Sequence, residues 1–274
     1  MDGPATREAI VARIRDHPLG DTPAEQRANF ARLVLAPDGP EGAIRCAAEG
    51  DGRATILHFH GGGYVFGSPQ THRRLGEGLA SASGLPVILA AYPLAPEHRW
   101  PAQLGAALAA CERIDGPLIL SGDSAGGHLA LVTALELARR STPVGGLILL
   151  SPNTDRSGVS RTRAANDAHD PMVDDAGDRA LAALAFGDRP PDDPQVSPLL
   201  DDLSLLPPTH IEVGAGEVLL DDSRLLAERG RTAGATIKLV IEPDGLHMGQ
   251  LWVPWWPLAN RSLARAGRFA AALL

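Results

Sequence analysis

The sequence predicts an α/β fold, in which a mostly parallel sheet is flanked by helices and carries a small helical cap. Short runs of almost wholly apolar residues, such as 86–91 and 146–150, recur along the chain with helix-like stretches between them. Strands that are apolar on both faces are typical of parallel sheets covered by helices on both sides. The chain has 274 residues, of which 44% are hydrophobic, and this is enough to bury such a sheet in one domain.

Residues 1–40 predict two short helices that lie over a larger domain. Thr6 can cap the first helix. Residues 22–25, Thr-Pro-Ala-Glu, form a capping-box pattern with proline at the first helical position of the second helix, and the prolines and glycine of residues 37–40 end that helix. Because two helices of this size cannot enclose a core, we expect them to form a cap on a domain at 41–274.

Strands and helices alternate through residues 41–274. The predicted strands are 43–48, 55–59, 86–91, 117–121, 146–150, 209–214 and 236–241. The predicted helices are 73–83, 102–113, 128–140, 178–186, 222–233 and 257–274. The alternation is interrupted between residues 151 and 208, where Pro, Asp and Arg are frequent and only 178–186 has a helical pattern. We therefore expect an insertion at about 155–200 that contributes to the cap.

Charge and composition limit the partners and the location. The formal net charge is -8 and no run of Lys and Arg exceeds two residues, which argues against binding nucleic acid or an anionic membrane. Residues 1–16 lack the apolar segment of a signal peptide, and no apolar stretch approaches the ~18 residues of a membrane span. Cys46 and Cys111 are far apart and lack metal-site spacing. We expect a cytoplasmic protein without disulfides that acts on a small molecule, and a homodimer is compatible with the sequence.

The Gly-Asp-Ser-Ala-Gly-Gly segment at residues 122–127 is the main chemical motif. It follows the apolar run 117–121 and precedes a helix-like stretch. A serine on a tight turn between a buried strand and a helix is the nucleophile elbow, written G-x-S-x-G, where close backbone approach requires small neighbours. The alternative is a glycine-rich turn without chemistry. We predict that the turn lifts the hydroxyl of Ser124 clear of the sheet as a nucleophile.

A His-Gly-Gly-Gly segment at residues 60–63 ends a predicted strand. Three consecutive glycines leave backbone N–H groups free to converge on one point, as stabilisation of an oxyanion requires. This position, ahead of the elbow, is where an α/β-hydrolase carries its second set of oxyanion donors. A flexible turn is one alternative. A metal site at the His58 and His60 pair is another, although no Cys or carboxylate cluster completes it.

An acid and a base follow the elbow in the order that this fold uses, which is serine, acid, histidine. His247 lies in the loop after the last predicted strand, where the base belongs, although a lone loop histidine is more often a surface residue. Glu217 lies in the loop after strand 209–214 and can reach the imidazole. We interpret Asp221 and Asp222 as capping the next helix.

Together these motifs resemble the hormone-sensitive-lipase-like family of α/β-hydrolases, the family IV bacterial esterases with a His-Gly-Gly-Gly motif. The resemblance runs from about His58 to His247. It includes three further segments, which are 94–98 (Leu-Ala-Pro-Glu-His), 197–199 (Ser-Pro-Leu) and 206–208 (Leu-Pro-Pro). The co-occurrence of all of these in order is specific to the family.

The resemblance implies the residues of the reaction. They are Ser124 as the nucleophile, His247 as the base, Glu217 as the acid, and the N–H groups of Gly62, Gly63 and Ala125 as the oxyanion hole. It implies no metal and no cofactor. Two departures affect the site: most members have Asp where Glu217 stands, and Asn153 stands where an aromatic residue is frequent.

We predict a serine carboxylesterase that hydrolyses small to medium acyl esters through an acyl-enzyme intermediate. Four side chains are expected to line its apolar pocket: Tyr64, Phe66, Met248 and Trp252. Trp255 and Trp256 can belong to the pocket, the core or an interface. Hydrolysis of a lactone or an amide is the alternative among enzymes. The alternative of another class is a non-catalytic receptor, since the plant gibberellin receptors resemble this pattern but lack the triad histidine, whereas His247 is present here.

Overall fold

A seven-stranded sheet forms the centre of the computed structural model, which describes residues 3–39, 41–47 and 52–274. The strands are β1 (Ile44–Cys46), β2 (Thr55–Phe59), β3 (Val87–Ala90), β4 (Leu118–Asp123), β5 (Gly146–Leu150), β6 (Thr209–Gly214) and β7 (Ile237–Glu242). They lie in the order β1-β3-β2-β4-β5-β6-β7. All neighbours are parallel except β1, which pairs antiparallel with β3. The predicted α/β fold with a mostly parallel sheet is confirmed.

Helices cover the sheet, and most of them begin and end close to the predicted positions. The helices of the described ranges are α1 (Arg7–Asp16), α2 (Pro23–Leu33), α3 (Arg73–Ser83), α4 (Ala102–Cys111), α5 (Ala125–Arg139), α6 (Thr162–Ala165), α7 (Asp175–Phe186), α8 (Leu220–Thr232) and α9 (Pro257–Ala271). The helix α5 begins earlier than predicted, directly after Ser124. The helix α6 escaped prediction because about one helical turn shows no periodicity. Pro40 and Ala48, at the ends of two predicted segments, lie outside the described residues.

The apolar runs of the sequence form strands that are buried on both faces. Every residue of β2, β5 and β6 is buried. The strand β7 at the edge of the sheet is only partly buried, and it is also the strand with a more polar sequence, Ile-Lys-Leu-Val-Ile-Glu. The hydrophobic pattern therefore followed the position of each strand in the sheet, because central strands have helices above and below them.

The helix α2 is tied to the loop that follows β2. The predicted capping box forms, since the Glu25 N–H donates to Thr22 Oγ1 at 3.3 Å and the Thr22 N–H donates to the Glu25 carboxylate at 3.0 Å. Arg27 donates to the carbonyl of Val65 at 2.9 Å and pairs with Glu97 at 2.6 Å. The helix α2 is therefore fixed beside the loop that follows β2.

The carboxyl ends of four strands bring the chemical motifs to one edge of the sheet. Residues 60–63 follow β2 and Ser124 follows β4, while Glu217 and His247 lie in the loops after β6 and β7. Because parallel strands point the same way, residues that are far apart in the chain meet at that edge. Leu181 of α7 lies over the same edge, in contact range of Gly63.

Candidate active site

Ser124 occupies a strained turn between β4 and α5. Its φ is 52° and its ψ is -120°, a combination that residues other than glycine rarely adopt. Both neighbours two positions away must be glycine, because a Cβ on Gly122 would collide with the carbonyl of Gly126, and a Cβ on Gly126 would collide with that of Phe59. The turn has the geometry of a nucleophile elbow, with the serine hydroxyl at the N-terminus of α5.

Ser124, His247 and Glu217 form one chain of hydrogen bonds. The Ser124 hydroxyl donates to Nε2 of His247 at 2.9 Å, and Nδ1 of His247 donates to Oε2 of Glu217 at 2.9 Å. The other carboxylate oxygen of Glu217 accepts from the Ser151 hydroxyl at 2.8 Å and from the Gly214 N–H. Because both of its oxygens have partners, the carboxylate holds the imidazole in one orientation.

His247 is more basic than an ordinary histidine. Burial by itself lowers the pKa of His247. The hydrogen bond to Glu217 and the negative charges of Glu217, Asp170 and Asp123 outweigh that effect, so the net result is a raised pKa. The neutral imidazole is therefore a stronger base toward the serine hydroxyl, and it is protonated up to a higher pH than usual.

Asp170 is a second carboxylate beside the histidine, and it was not predicted from the sequence. One of its oxygens lies within 4.8 Å of ligand atoms of both Glu217 and His247. Backbone N–H groups hold it in place, with Val218 donating to Oδ2 at 3.1 Å and Met172 donating to Oδ1 at 2.9 Å. Burial and the charge of Glu217 raise the pKa of Asp170. The segment 151–208 has many aspartates, so nothing in the sequence distinguished this one.

Gly62 and Gly63 present backbone N–H groups beside Ser124. Their φ angles of 116° and 58° favour glycine, and a Cβ on Gly62 would collide with the carbonyl of Phe66. Within the described ranges, no hydrogen bond engages either N–H group. The N–H of Ala125 also lacks an intrahelical acceptor because it belongs to the first turn of α5. These three groups can stabilise negative charge on an oxygen bound at the serine.

A buried network of two histidines and one aspartate lies beneath the glycine loop. His58 and His72 donate from Nε2 to the two oxygens of Asp123, at 3.1 and 3.0 Å. Their spacing would permit a metal ion. However, the Nε2 atoms already bind Asp123, and Nδ1 of His58 accepts from the Ser121 hydroxyl at 3.0 Å, so the network is satisfied by hydrogen bonds alone. His60, the other half of the His-x-His pair, stacks on Tyr92 instead.

A cavity of about 340 Å³ opens onto Ser124 and His247. Its wall includes the glycine loop, the N-terminal region around Leu19, and the helix α7 with Leu181 and Leu184. Phe66 and Met248, two of the four predicted pocket residues, lie in its wall.

Tyr64 and Trp252 do not line this cavity, which corrects their prediction as pocket residues. Tyr64 has a φ of 66°, which turns its side chain into the core, and its hydroxyl donates to Nδ1 of His128 at 2.6 Å. Trp252 ends the short 3-10 helix Gly249–Trp252, which packs against α3 and α9. The other two tryptophans were predicted to lie in the pocket, the core or an interface. Trp256 is buried against Gly249, and Trp255 lies under the guanidinium of Arg74 at 4.6 Å.

Asn153, at the position where an aromatic residue is frequent in the family, joins a polar network in the cavity wall. Its side-chain amide donates to Asp178 at 2.7 Å, and its carbonyl oxygen accepts from Arg163 at 2.7 Å. Arg163 also donates to Asp222 at 2.8 Å. The network joins the loop after β5, the helix α7 and the helix α8 by buried charge-assisted hydrogen bonds.

Asp221 and Asp222 do not cap the helix α8, which corrects a second prediction. The helix begins at Leu220, so both residues are inside its first turn. Asp221 accepts from the N–H groups of Arg161 and Thr162 at 3.1 and 3.2 Å. Both carboxylates therefore bind the segment 151–163 rather than their own helix.

Comparison with protein-family models matches residues 56–251 to a family described as having an alpha/beta hydrolase fold. The chain is 36% identical over 234 residues to a protein named esterase from Acinetobacter venetianus, with 82% of this chain and 77% of that protein covered. It is 34% identical over 253 residues to an acetyl-hydrolase of Streptomyces hygroscopicus, with 88% and 84% covered.

Solved structures of the same kind superpose on the chain. A hormone-sensitive lipase from a metagenome library has a TM-score of 0.90 at 30% identity and covers 98% of this chain and 99% of its own. An esterase from the bacterial hormone-sensitive lipase family has a TM-score of 0.88 at 30% identity, with 97% of both chains covered. Among the described residues, no helix is long and apolar enough to cross a membrane.

Proposed function

The chain belongs to the hormone-sensitive-lipase-like α/β-hydrolases and is a serine carboxylesterase, and from that premise we propose that Ser124, His247 and Glu217 are its catalytic triad. The observation that carries the assignment is the unbroken hydrogen-bond chain between the three side chains, with both distances 2.9 Å. This chain of hydrogen bonds starts at Ser124 on the strained elbow, and a cavity that can hold a substrate opens onto Ser124 and His247. Glutamate acts as the orienting acid in place of the more frequent aspartate.

The first half of the reaction acylates the serine. His247 removes the hydroxyl proton as the Ser124 oxygen attacks the ester carbonyl, and Glu217 stabilises the resulting imidazolium. The carbonyl electrons move onto oxygen, where the N–H groups of Gly62, Gly63 and Ala125 stabilise the charge. Each such donor contributes roughly 3–4 kcal/mol to lowering the barrier in enzymes where one has been removed.

The second half releases both products. His247 gives its proton to the departing alcohol, which leaves an acyl group on Ser124. A water molecule then takes the place of the alcohol, His247 removes a proton from it, and the second tetrahedral intermediate collapses to a carboxylic acid and free serine. Both halves use the same base and the same oxyanion donors, so no other group is required.

The size of the cavity favours small to medium acyl groups. Its volume of about 340 Å³ is at the lower end of the range for small-molecule sites, which is about 300–1,000 Å³. The cap closes over it through Leu181 and Leu184, whose side chains limit the length of chain that can enter. Esters of short fatty acids therefore fit better than long triglyceride chains.

A series of p-nitrophenyl esters from acetate to laurate tests the proposal. We expect kcat/KM to be highest for the short to medium esters and to fall at laurate. Ser124→Ala should lower kcat by about 10⁴ to 10⁶ in a folded protein, whereas the matched control Ser81→Ala, on the exposed face of α3, should keep full activity. Activity above a few per cent in Ser124→Ala would overturn the assignment of the nucleophile.

A further inference from the structure

A second cavity, of about 350 Å³, lies on the other side of the cap helix α7 from the active site. The helix separates the two spaces, since Leu181 and Leu184 line the active-site cavity whereas Ala183 and Phe186 line the second one. Asp178 is the residue of α7 that borders both of them. Four arginines border the second cavity, which are Arg156, Arg163, Arg179 and Arg189. Its chemistry is therefore different from that of the active-site cavity, whose wall holds no Lys or Arg among the described residues.

Three of the four arginines have close carboxylate partners. The pairs are Arg163 with Asp178 at 2.9 Å and with Asp222 at 2.8 Å, Arg179 with Asp175 at 2.6 Å, and Arg189 with Asp193 at 3.0 Å. Arg156 differs from them. Its ion-pair partner among the described residues, Asp178, is 3.8 Å away, and the oxygen concerned already accepts from Asn153. Arg156 therefore lacks a carboxylate partner within hydrogen-bond distance among the described residues.

The guanidinium of Arg156 is held in place with donor capacity unused. Its side chain is 8% exposed, and its central carbon lies 5.0 Å from the ring centroid of Phe186. One terminal nitrogen donates to the carbonyl of Val196 at 3.3 Å. The Nε atoms of both Arg156 and Arg163 are buried without a hydrogen-bond partner. The two terminal nitrogens of Arg156 carry four N–H groups, so donors besides the one that binds Val196 remain for a ligand in the cavity.

We propose that this cavity binds a small anion that carries a carboxylate or phosphate group. A guanidinium stacked on an aromatic ring keeps its planar edge available, and that edge matches two oxygens of a carboxylate or a phosphate. Arg156 is the principal cation of the site. Arg179 and Arg189 stand at its mouth, with 76% and 35% of their side chains exposed, and attract the anion from solution.

The site is coupled to the active site through Asp178. This carboxylate accepts from Asn153 in the wall of the active-site cavity and from Arg163 in the wall of the second cavity. An anion bound to Arg156 weakens the attraction between this guanidinium and Asp178, and so changes the electrostatic potential at the shared residue. The bound anion should therefore shift the dissociation constant of a non-hydrolysed ester analogue, and by linkage the bound analogue should shift the dissociation constant of the anion by the same factor.

The test is calorimetric titration with succinate and, separately, inorganic phosphate, at constant ionic strength adjusted with sodium chloride. This readout needs no ester hydrolysis, so it is independent of the proposed triad. We expect saturable binding of one anion with Kd of about 1 mM or tighter. Arg156→Gln should weaken it by about 30-fold or more, and Arg189→Gln, at the mouth, by about 2- to 5-fold. Arg73→Gln, a matched loss of charge on the exposed part of α3, should leave it unchanged.

Several outcomes would overturn the proposal. One is the absence of saturable binding of either anion up to about 20 mM. Another is equal weakening by Arg73→Gln, which would indicate a general charge effect. If Arg156→Gln does not fold, the double variant Arg179→Gln and Arg189→Gln is measured instead. An unchanged Kd for the anion in that variant would show that the anion does not bind in this cavity. Stronger binding of succinate than of phosphate assigns a carboxylate ligand, and the reverse assigns a phosphate.

Discussion

The backbone N–H of Gly61 donates a hydrogen bond to the carboxylate of Asp123 at 3.1 Å. This contact joins the glycine loop after β2 to the residue immediately before Ser124. Burial by itself raises the pKa of Asp123, but the adjacent His72 and His58 outweigh it and hold the pKa well below its usual range. An ionised carboxylate in the core thus fixes the position of the loop 60–63, which holds the proposed oxyanion donors, relative to Ser124.

Asp123→Asn should impair turnover more than substrate binding. The amide retains the shape of the carboxylate but loses its charge and one acceptor, so the loop of residues 60–63 is held less firmly. We expect kcat to fall by about 10- to 100-fold, less than the loss of an entire oxyanion donor, with KM nearly unchanged. Steady-state kinetics on folded protein measures this, with the exposed Asp115→Asn as control. An unchanged kcat would show that the contact does not position the donors.

Two substitutions distinguish the orienting acid from its neighbour. Glu217→Gln should lower kcat by about 10⁴, because serine and base remain but the imidazole loses its orientation and charge partner. Asp221→Asn removes the negative charge that faces Arg224 at 3.8 Å but keeps one oxygen that can accept from the N–H groups of residues 161–162, so it should cost about 1 kcal/mol of stability or less and leave most of the activity. The reverse pattern, an inactive Asp221 variant and an active Glu217 variant, would assign the acid to Asp221.

The pH profile should report the raised pKa of His247. Catalysis needs the neutral imidazole, so kcat/KM should rise with pH through one ionisation centred above the ordinary histidine value of about 6.5. The pH profile of the residual activity of Glu217→Gln should have a lower midpoint, because the charge of Glu217 is one cause of the raised pKa. Because the folded pKa is raised, protonated His247 stabilises the fold below the unfolded pKa, and this contribution is lost as the pH rises through the folded pKa. A wild-type midpoint at or below the ordinary value contradicts the electrostatic account.

Leu181→Ala should shift acyl preference toward longer chains. Leu181 lies in α7, lines the active-site cavity and packs close to Gly63. Shortening it enlarges the space near the oxyanion donors, so the ratio of kcat/KM for octanoate over acetate should rise by about 3- to 10-fold. Leu225→Ala, on α8 and outside the cavity wall, should leave the ratio unchanged. A constant ratio in Leu181→Ala would place the acyl chain elsewhere.

Features that depend on neighbouring residues were readable from the sequence. The elbow at 122–127, the capping box at 22–25 and the apolar strands each lie within a short segment, and local backbone geometry limits what such a segment can form. The meeting of Ser124, Glu217 and His247 could also be predicted from the order that this fold uses, and a parallel sheet makes it possible by bringing its strand ends to one edge.

The direction of individual side chains was not readable in this way. Tyr64 and Phe66 stand two positions apart behind the same glycines, and only the left-handed φ of Tyr64 sends its ring into the core while Phe66 lines the cavity. Asp221 and Asp222 have the composition of a helix cap. The helix α8, however, already begins at Leu220, so neither residue is at the capping position, and their carboxylates bind the segment 151–163 instead.

Tertiary structure alone decided the contacts between distant segments. Asp170 reaches His247, Asp123 holds Gly61, and Asn153 meets Asp178 across chain separations that carry no periodic signal. The two cavities on either side of α7 exist for the same reason. Each wall is assembled from several loops, and the pairing of buried charges among them is selected by packing, which the linear order of residues does not encode.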